Sequence, residues 1–196
     1  MTSSTSPPLQ GGLDTMLLVY ILLPGHPACL PCEQFIRSHT GWFTSPLVLA
    51  EAKHVLTSVY SANAAVVTAK LLQFAATPVV LLDLDAAVLA SALQLADARG
   101  LDLTDAVLLH LTTMHGAHSL ATEDQRLAQA CLAFGVTPVT PLDASLRRQV
   151  AAWEMTHVAP KGLPRILRRV HQWLSQAHPQ AAHDFLTHTA GATHLP

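Results

Sequence analysis

Between residues 13 and 143, short apolar runs alternate with capped helical stretches, and this alternation narrows the fold more than any other feature. The run at 78–82 (PVVLL) is apolar at every position but the first, which suits a strand buried on both faces of a parallel sheet. Ser45 followed by Pro46 supplies an N-cap and a proline at the first helical position, predicting a helix through LVLAEAKHVLTSVY. A second helix over about 62–75 is closed by Thr77-Pro78, a pair that disfavours helical continuation. Asp85 opens a helix that Gly100 ends, and Asp102 opens another reaching about 114. SLA at 119–121 reads as a short strand, 125–134 as a helix stopped by Gly135, and 136–140 as a last strand. Strands separated by helices specify a parallel sheet covered on both faces, an α/β architecture of three layers. There is no internal repeat.

Beyond residue 143 the pattern is helical only, over 144–156, 164–177 and 179–188, with Pro160, Gly162, Pro164 and Pro179 as punctuation. Leu163, Ile166, Leu167, Val170, Trp173 and Leu174 form one apolar stripe flanked by Arg165, Arg168 and Arg169, and docking on the body is the reading favoured for it. The expected organisation is a flexible leader over 1–12, an α/β domain over 13–143 and a basic helical extension over 144–196.

Half of the residues are hydrophobic and mean hydropathy is +0.33, which implies a generous core and excludes a disordered chain. The longest apolar run, 16–23, is far short of the ~20 residues that span a bilayer. The first twelve residues carry neither a Lys or Arg nor an apolar segment, unlike a signal peptide, so a cytoplasmic protein is expected. Three cysteines do not describe a disulfide framework. Residues 1–144 hold five basic against eleven acidic residues, whereas 145–196 hold six against two. An acidic body with a basic tail suits metal ligands in one place and phosphate attraction in the other, although a basic tail is equally explained as a solvated helix face.

In a chain with only 12% charged residues, acids set in apolar phrases stand out. They are Asp14 in LDT, Glu51 in SPLVLAE, Asp105 in DLTDAVLLHLT and Asp124 in LATEDQRL. Singly, most have plain explanations: Asp14 as a helix cap, Asp102 and Asp105 as an acidic capping box, and Asp124 in a first turn that Thr122 and Gln125 cap. Glu51 lies beyond capping reach, and a buried carboxylate there needs a cation or hydrogen-bond donors. Taken together, acids near strand ends and helix starts converge on one edge of a parallel sheet, where ligands bind. Carboxylates gathered there suit the hard cations Mg²⁺ or Mn²⁺.

Over roughly 13–142 these phrases resemble, in order and interval, the PIN-domain family, in particular VapC-like ribonuclease toxins. Asp14-Thr15 matches the family's Asp-Thr-Asn-like strand end, with Met16 where asparagine is usual; Glu51 matches its helical glutamate, Asp105-Ala106 its third acid, and Thr122 with Asp124 its Thr-x-Asp signature. The resemblance implies a three-layer α/β/α PIN-like fold with a central parallel sheet. It implies that Asp14, Glu51, Asp105 and Asp124 are catalytic and hold one or two Mg²⁺ or Mn²⁺ ions, supported by Thr15, Asp102 and Thr122. It further implies RNA as the substrate of an endonuclease, with Arg165, Arg168 and Arg169 available for its phosphates, and a protein antitoxin and a second copy of the chain as partners.

Two alternatives compete. A non-catalytic PIN-like scaffold that binds RNA or protein is favoured by Met16. A thioredoxin-like thiol-disulfide oxidoreductase would read 16–23 as a strand leading to the CLPC of Cys29 and Cys32, with Thr77-Pro78 as its later proline, but it leaves the four acidic phrases unexplained. The twelve histidines, including the loosely spaced His115 and His118 or His183 and His188, show no zinc-site pattern.

Overall fold

The computed structural model describes residues 8–158 and 165–189. Strand β1 (Gly11–Leu13) leads to helices α1 (Thr15–Leu22) and α2 (Cys29–Arg37), then β2 (Trp42–Thr44), α3 (Pro46–Ser58) and α4 (Ala64–Ala75). Strand β3 (Val80–Leu81), α5 (Ala86–Arg99), α6 (Leu103–Met114), β4 (Ser119–Ala121), α7 (Gln125–Ala133) and β5 (Thr137–Val139) complete the α/β body. Three helices follow, α8 (Ala144–His157), α9 (Arg165–Ala177) and α10 (Pro179–Thr189). No helix among the described residues is long and apolar enough to cross a membrane.

All strand pairings are parallel, in the order β3-β2-β1-β4-β5, so every connection must cross over through helices. The chain builds outward from β1 through β2 to β3, then returns to add β4 on the other side of β1. The switch point therefore falls between β1 and β4, and ligands of open α/β sheets bind outside the carboxyl ends of the strands there.

Helix α1 is buried at Thr15, Leu17, Leu18, Val19 and Tyr20, so it is a core helix rather than an amphipathic surface one. Leu13, Leu17, Leu18, Phe43, Leu108, Leu109 and Leu120 are fully buried around the central strands. Several boundaries follow from local chemistry as expected. Ser45 caps α3 by accepting from Val48 N–H, Asp85 caps α5 by accepting from Val88 N–H, and Gly100 ends α5 in the left-handed region (φ 63°).

Three expectations are corrected. Gly11 and Gly12, assigned to the leader, are residues of the central strand, which forms despite the poor β-propensity of PPLQGG. Close packing rather than propensity decides this: a Cβ on Gly11 would collide with the Ser119 hydroxyl and the Trp42 ring, and one on Gly12 would press on Leu108 and Thr112 at 3.1 Å. The run at 78–82 is not a buried strand; β3 is the sheet edge, with Val80 and Leu81 about 40% and 41% exposed. The apolar stripe of the tail is only partly covered, with Trp173 59% exposed, and of this stripe Leu163 and the side chain of Ile166 lie outside the described residues. The side chains of Arg165, Arg168 and Arg169 lie outside them as well.

Candidate active site

Asp14 follows β1 directly and caps α1, its Oδ1 accepting from the Thr15 N–H at 2.5 Å. Its other oxygen accepts from the Thr122 hydroxyl at 2.7 Å, across a sequence distance of 108 residues. Thr122 follows β4, the neighbour of β1, so sheet order alone brings the two together. The Thr122 oxygen also accepts the Asp124 N–H at 2.9 Å, and Asp124 in turn caps α7 by accepting from Arg126 and Leu127 N–H at 2.7 and 2.9 Å. The expected Thr122–Gln125 capping box is thus corrected: Asp124 is the cap, and Thr122 faces Asp14.

Glu51 lies in α3, and its Oε2 accepts from the Thr15 hydroxyl at 2.8 Å. That is the donor a half-buried glutamate in an apolar helix requires. The pair Thr15 and Thr122 therefore links Asp14, Glu51 and Asp124 into one hydrogen-bonded chain across β1, α3 and β4. Asp105 sits in the first turn of α6, half-buried. Asp102 occupies the N-cap position of α6 yet makes no capping hydrogen bond with its side chain, so the acidic capping box expected there is absent.

Charge crowding marks the same place. Burial pushes the Asp14 carboxyl up to about 6; the bonds from Thr122 and Thr15 pull it down, and Glu51 and Asp124 push it up again. Asp105 is raised to about 7, first by burial and then by Asp14, Asp124, Glu51 and Asp102. Asp14 thus lies in the field of Glu51 and Asp124, and Asp105 in the fields of Asp14, Asp124, Glu51 and Asp102, as carboxylates near one another do. Asp124 also lines an open polar cleft of about 590 Å³ with Glu123, Gln125, Arg126 and Gln129. A second cleft of the same volume, apolar and bounded by Ile21, Ile36, Trp42, Phe74 and Pro78, contains none of the four acids.

The donor set consists of carboxylate oxygens, which suits a hard divalent cation in chemistry. In arrangement the carboxylates rest on protein donors, and among the described residues no three His, Cys, Asp or Glu side chains stand ready to hold an ion.

The oxidoreductase alternative is overturned. Residues 16–22 belong to a helix, not to a strand leading into the CLPC. Cys29 and Cys32 are unbridged, and burial raises both thiols, that of Cys32 to about 12, the reverse of an activated nucleophile.

Comparison with known proteins accords with this geometry. The model of the PIN domain matches residues 13–132, more than half of the chain. The chain belongs to the PIN-domain family. PIN domains are in general nucleases that use divalent metals. No curated protein sequence matches the chain. Among solved structures, VapC20 of Mycobacterium tuberculosis, described as a sarcin-ricin loop cleaving toxin, is 20% identical with a TM-score of 0.53. The match covers 62% of this chain and 95% of VapC20. PAE2754 from Pyrobaculum aerophilum is 19% identical with a TM-score of 0.48, over 73% of this chain and 98% of that one. FitAB, solved bound to an IR36 DNA fragment, is 18% identical with a TM-score of 0.48, over 68% and 98%. The likeness to VapC20 is one of fold.

Sequence reasoning passed over Glu123, Arg147, His26 and Tyr60. Glu123 had a signal, as an acid between Thr122 and Asp124. The others act through contacts that no local pattern records.

Proposed function

We propose that this PIN domain is a divalent-metal-dependent endoribonuclease, the toxin of a toxin–antitoxin pair. The observation that carries the reading is the hydrogen-bonded chain by which Thr15 and Thr122 join Asp14 to Glu51 and to the Asp124 backbone at the switch point of the sheet. Burial raises Asp14, with Glu51 and Asp124 adding to it, and burial followed by Asp14, Asp124 and Glu51 raises Asp105. Raised carboxyls that crowd one another are what a divalent cation would relieve. Family membership supports nuclease chemistry, and the fold shared with VapC20, described as cleaving the sarcin-ricin loop, supports RNA as substrate.

In this reading the four acids would turn toward and hold one or two Mg²⁺ or Mn²⁺ ions. Bound there, such an ion lowers the pKa of a water and neutralises charge on the phosphodiester. The chain's own part is orientation. Thr122 and Thr15 aim the two Asp14 oxygens, and Thr15 also fixes Glu51. Burial and the neighbouring acids raise the Asp105 carboxyl to about 7, and a cation held beside it would favour its ionised form. Asp102, free of capping duty, can accept from a water beside Asp105. The tail arginines Arg165, Arg168 and Arg169 contribute attraction to phosphates, a role that follows from charge alone. A protein antitoxin, a second copy of the chain and a cytoplasmic site of action complete the reading.

The competing reading, a PIN scaffold that binds without cutting, draws on Met16 and on three carboxylates already engaged by protein donors. Cleavage of a mixed RNA pool with and without Mn²⁺ or Mg²⁺, comparing the native chain with Asp105→Asn, separates the two. The nuclease gives metal-dependent cutting that the substitution abolishes. A folded native chain that cuts no RNA with either metal leaves the scaffold.

A further inference from the structure

Helix α8 lies beyond the segment that matches the PIN model, yet it is fastened to the body at both ends. Near its end, the Tyr60 hydroxyl donates to Glu154 Oε1 at 2.6 Å, and Trp153 meets the buried His26 ring edge-on at 4.8 Å. Near its start, Arg147 Nε donates to Glu123 Oε2 at 2.9 Å. Val150, between them, is buried.

The Arg147–Glu123 pair differs from an ordinary surface ion pair. The Glu123 side chain is only 14% exposed against 53% for Arg147, and Glu123 Oε1 is buried with no partner among the described residues. Exposed pairs contribute little, but removing the partner of a nearly buried carboxylate leaves a charge uncompensated. Glu123 is also the middle residue of the loop that bears the site. Thr122 before it holds Asp14, and Asp124 after it caps α7. The inner side of this loop is held by Thr122, whose N–H donates to Val139 and whose hydroxyl donates to Asp14. Its outer side is held through Glu123.

We propose that Arg147 is a positioning residue: through Glu123 it holds the 122–124 loop, so that the added helix α8 braces the acidic site. The catalytic consequence rests on the nuclease reading; the brace itself does not. The orphaned Oε1 sharpens the point, because a carboxylate with a single partner has no second contact to fall back on when Arg147 is lost.

The test is hydrogen–deuterium exchange on the full chain, comparing native, Arg147→Ala and Arg147→Lys proteins, with RNA cleavage measured on the same samples. Arg147→Ala is expected to speed exchange several-fold within 120–130 while β1 and α6 stay protected. It is also expected to lower metal-dependent kcat/KM about tenfold, the lower end for groups that orient metal ligands. Arg147→Lys, which keeps the charge and one donor, should recover most of both. Unchanged exchange over 120–130 overturns the proposal, and so does loosening spread evenly over the body. A native chain that cuts no RNA defeats the nuclease reading alone, because the exchange comparison still decides whether Arg147 braces the loop.

Discussion

Thr122 donates its hydroxyl to Asp14 at 2.7 Å, and this one bond joins the ends of the two strands between which the sheet reverses its order. Asp14 is 5% exposed, so its charge depends on the donors supplied by Thr122 and by the Thr15 amide. A buried carboxylate with two donors is tolerable as an anion; with one it is driven toward the neutral form.

Replacing Thr122 with Val keeps the shape and removes the donor. Asp14 is then expected to titrate above its present value of about 6. Stability should fall by ~1–3 kcal/mol at pH 8, where the anion is stranded, and by less at pH 5, where Asp14 is protonated in both proteins. Metal-dependent cleavage should drop at least tenfold. Urea unfolding at the two pH values checks this, and an equal loss at both would show that the bond does not act through the charge of Asp14.

The same raised carboxyls set the pH dependence of the metal-free protein. Asp14 at about 6 and Asp105 at about 7 lie above the ordinary value of 3.8. Between those limits the folded chain keeps protons that the unfolded chain has released. Their contribution to stability is therefore complete below about pH 4 and is lost as pH rises through 6 and 7. Thermal unfolding in a chelating buffer should show the midpoint falling from pH 5 to pH 8. Added Mg²⁺ should remove most of that fall, and Asp105→Asn should reduce it without metal. A midpoint that falls over this range in the Asp105→Asn chain as steeply as in the native one would refute the assignment.

The capped helices were legible because the chemistry that stops and starts them is local. Ser45-Pro46, Asp85 and the glycines at 100 and 135 act on their own neighbours. The acids proposed for the site stand out in the sequence as well, since each interrupts an apolar phrase in a chain poor in charge. What local pattern could not reveal is which groups face one another. Thr122 looked like half of a capping box, and only the pairing of β1 with β4 turns it toward Asp14. PVVLL looked buried because its composition is apolar, but burial depends on the place of a strand in the sheet, and β3 is at the edge. Tyr60 and Glu154 bond across 94 residues, a relation invisible until the chain is folded.

His26 acts in the opposite direction to the acids. Its ring stacks on Tyr20 at 4.6 Å and meets Trp153 edge-on, and its Nδ1 accepts the Ala28 N–H at 3.2 Å. Burial, and then the neighbouring His157, lower it to about 4 from 6.5. The unfolded chain takes up a proton in that window that folded His26 refuses. Its contribution is complete above about pH 6.5 and is lost as pH falls toward 4. His26→Phe retains a ring against Tyr20 and Trp153 but cannot titrate, so its stability should decline less between pH 6.5 and 4 than that of the native chain. It should also be lower by ~1 kcal/mol at pH 8, where the Ala28 N–H has lost its acceptor. Parallel acid limbs for the two proteins would sink the idea.

The glycines of β1 yield the last prediction, because they tie the fold to the site. A Cβ on Gly11 meets the Ser119 hydroxyl, the Trp42 ring and, at 2.9 Å, the Ser119 carbonyl oxygen. The last of these belongs to the neighbouring strand and cannot swing aside. Gly11→Ala should therefore cost ~3 kcal/mol or more, the upper end for overpacking a core. On Gly12 the nearest atoms are the Leu108 side chain and the Thr112 hydroxyl at 3.1 Å, which can shift by a few tenths of an ångström, so Gly12→Ala should cost ~1–2 kcal/mol and remain folded. Yet Gly12 lies two residues before Asp14, and Leu108 and Thr112 belong to the same helix as Asp105. Pushing β1 and α6 apart moves two of the four acids relative to each other. Urea unfolding together with RNA cleavage should find Gly12→Ala mildly destabilised and disproportionately inactive. Cleavage that merely follows the folded fraction would mean that the spacing of β1 and α6 does not control the site.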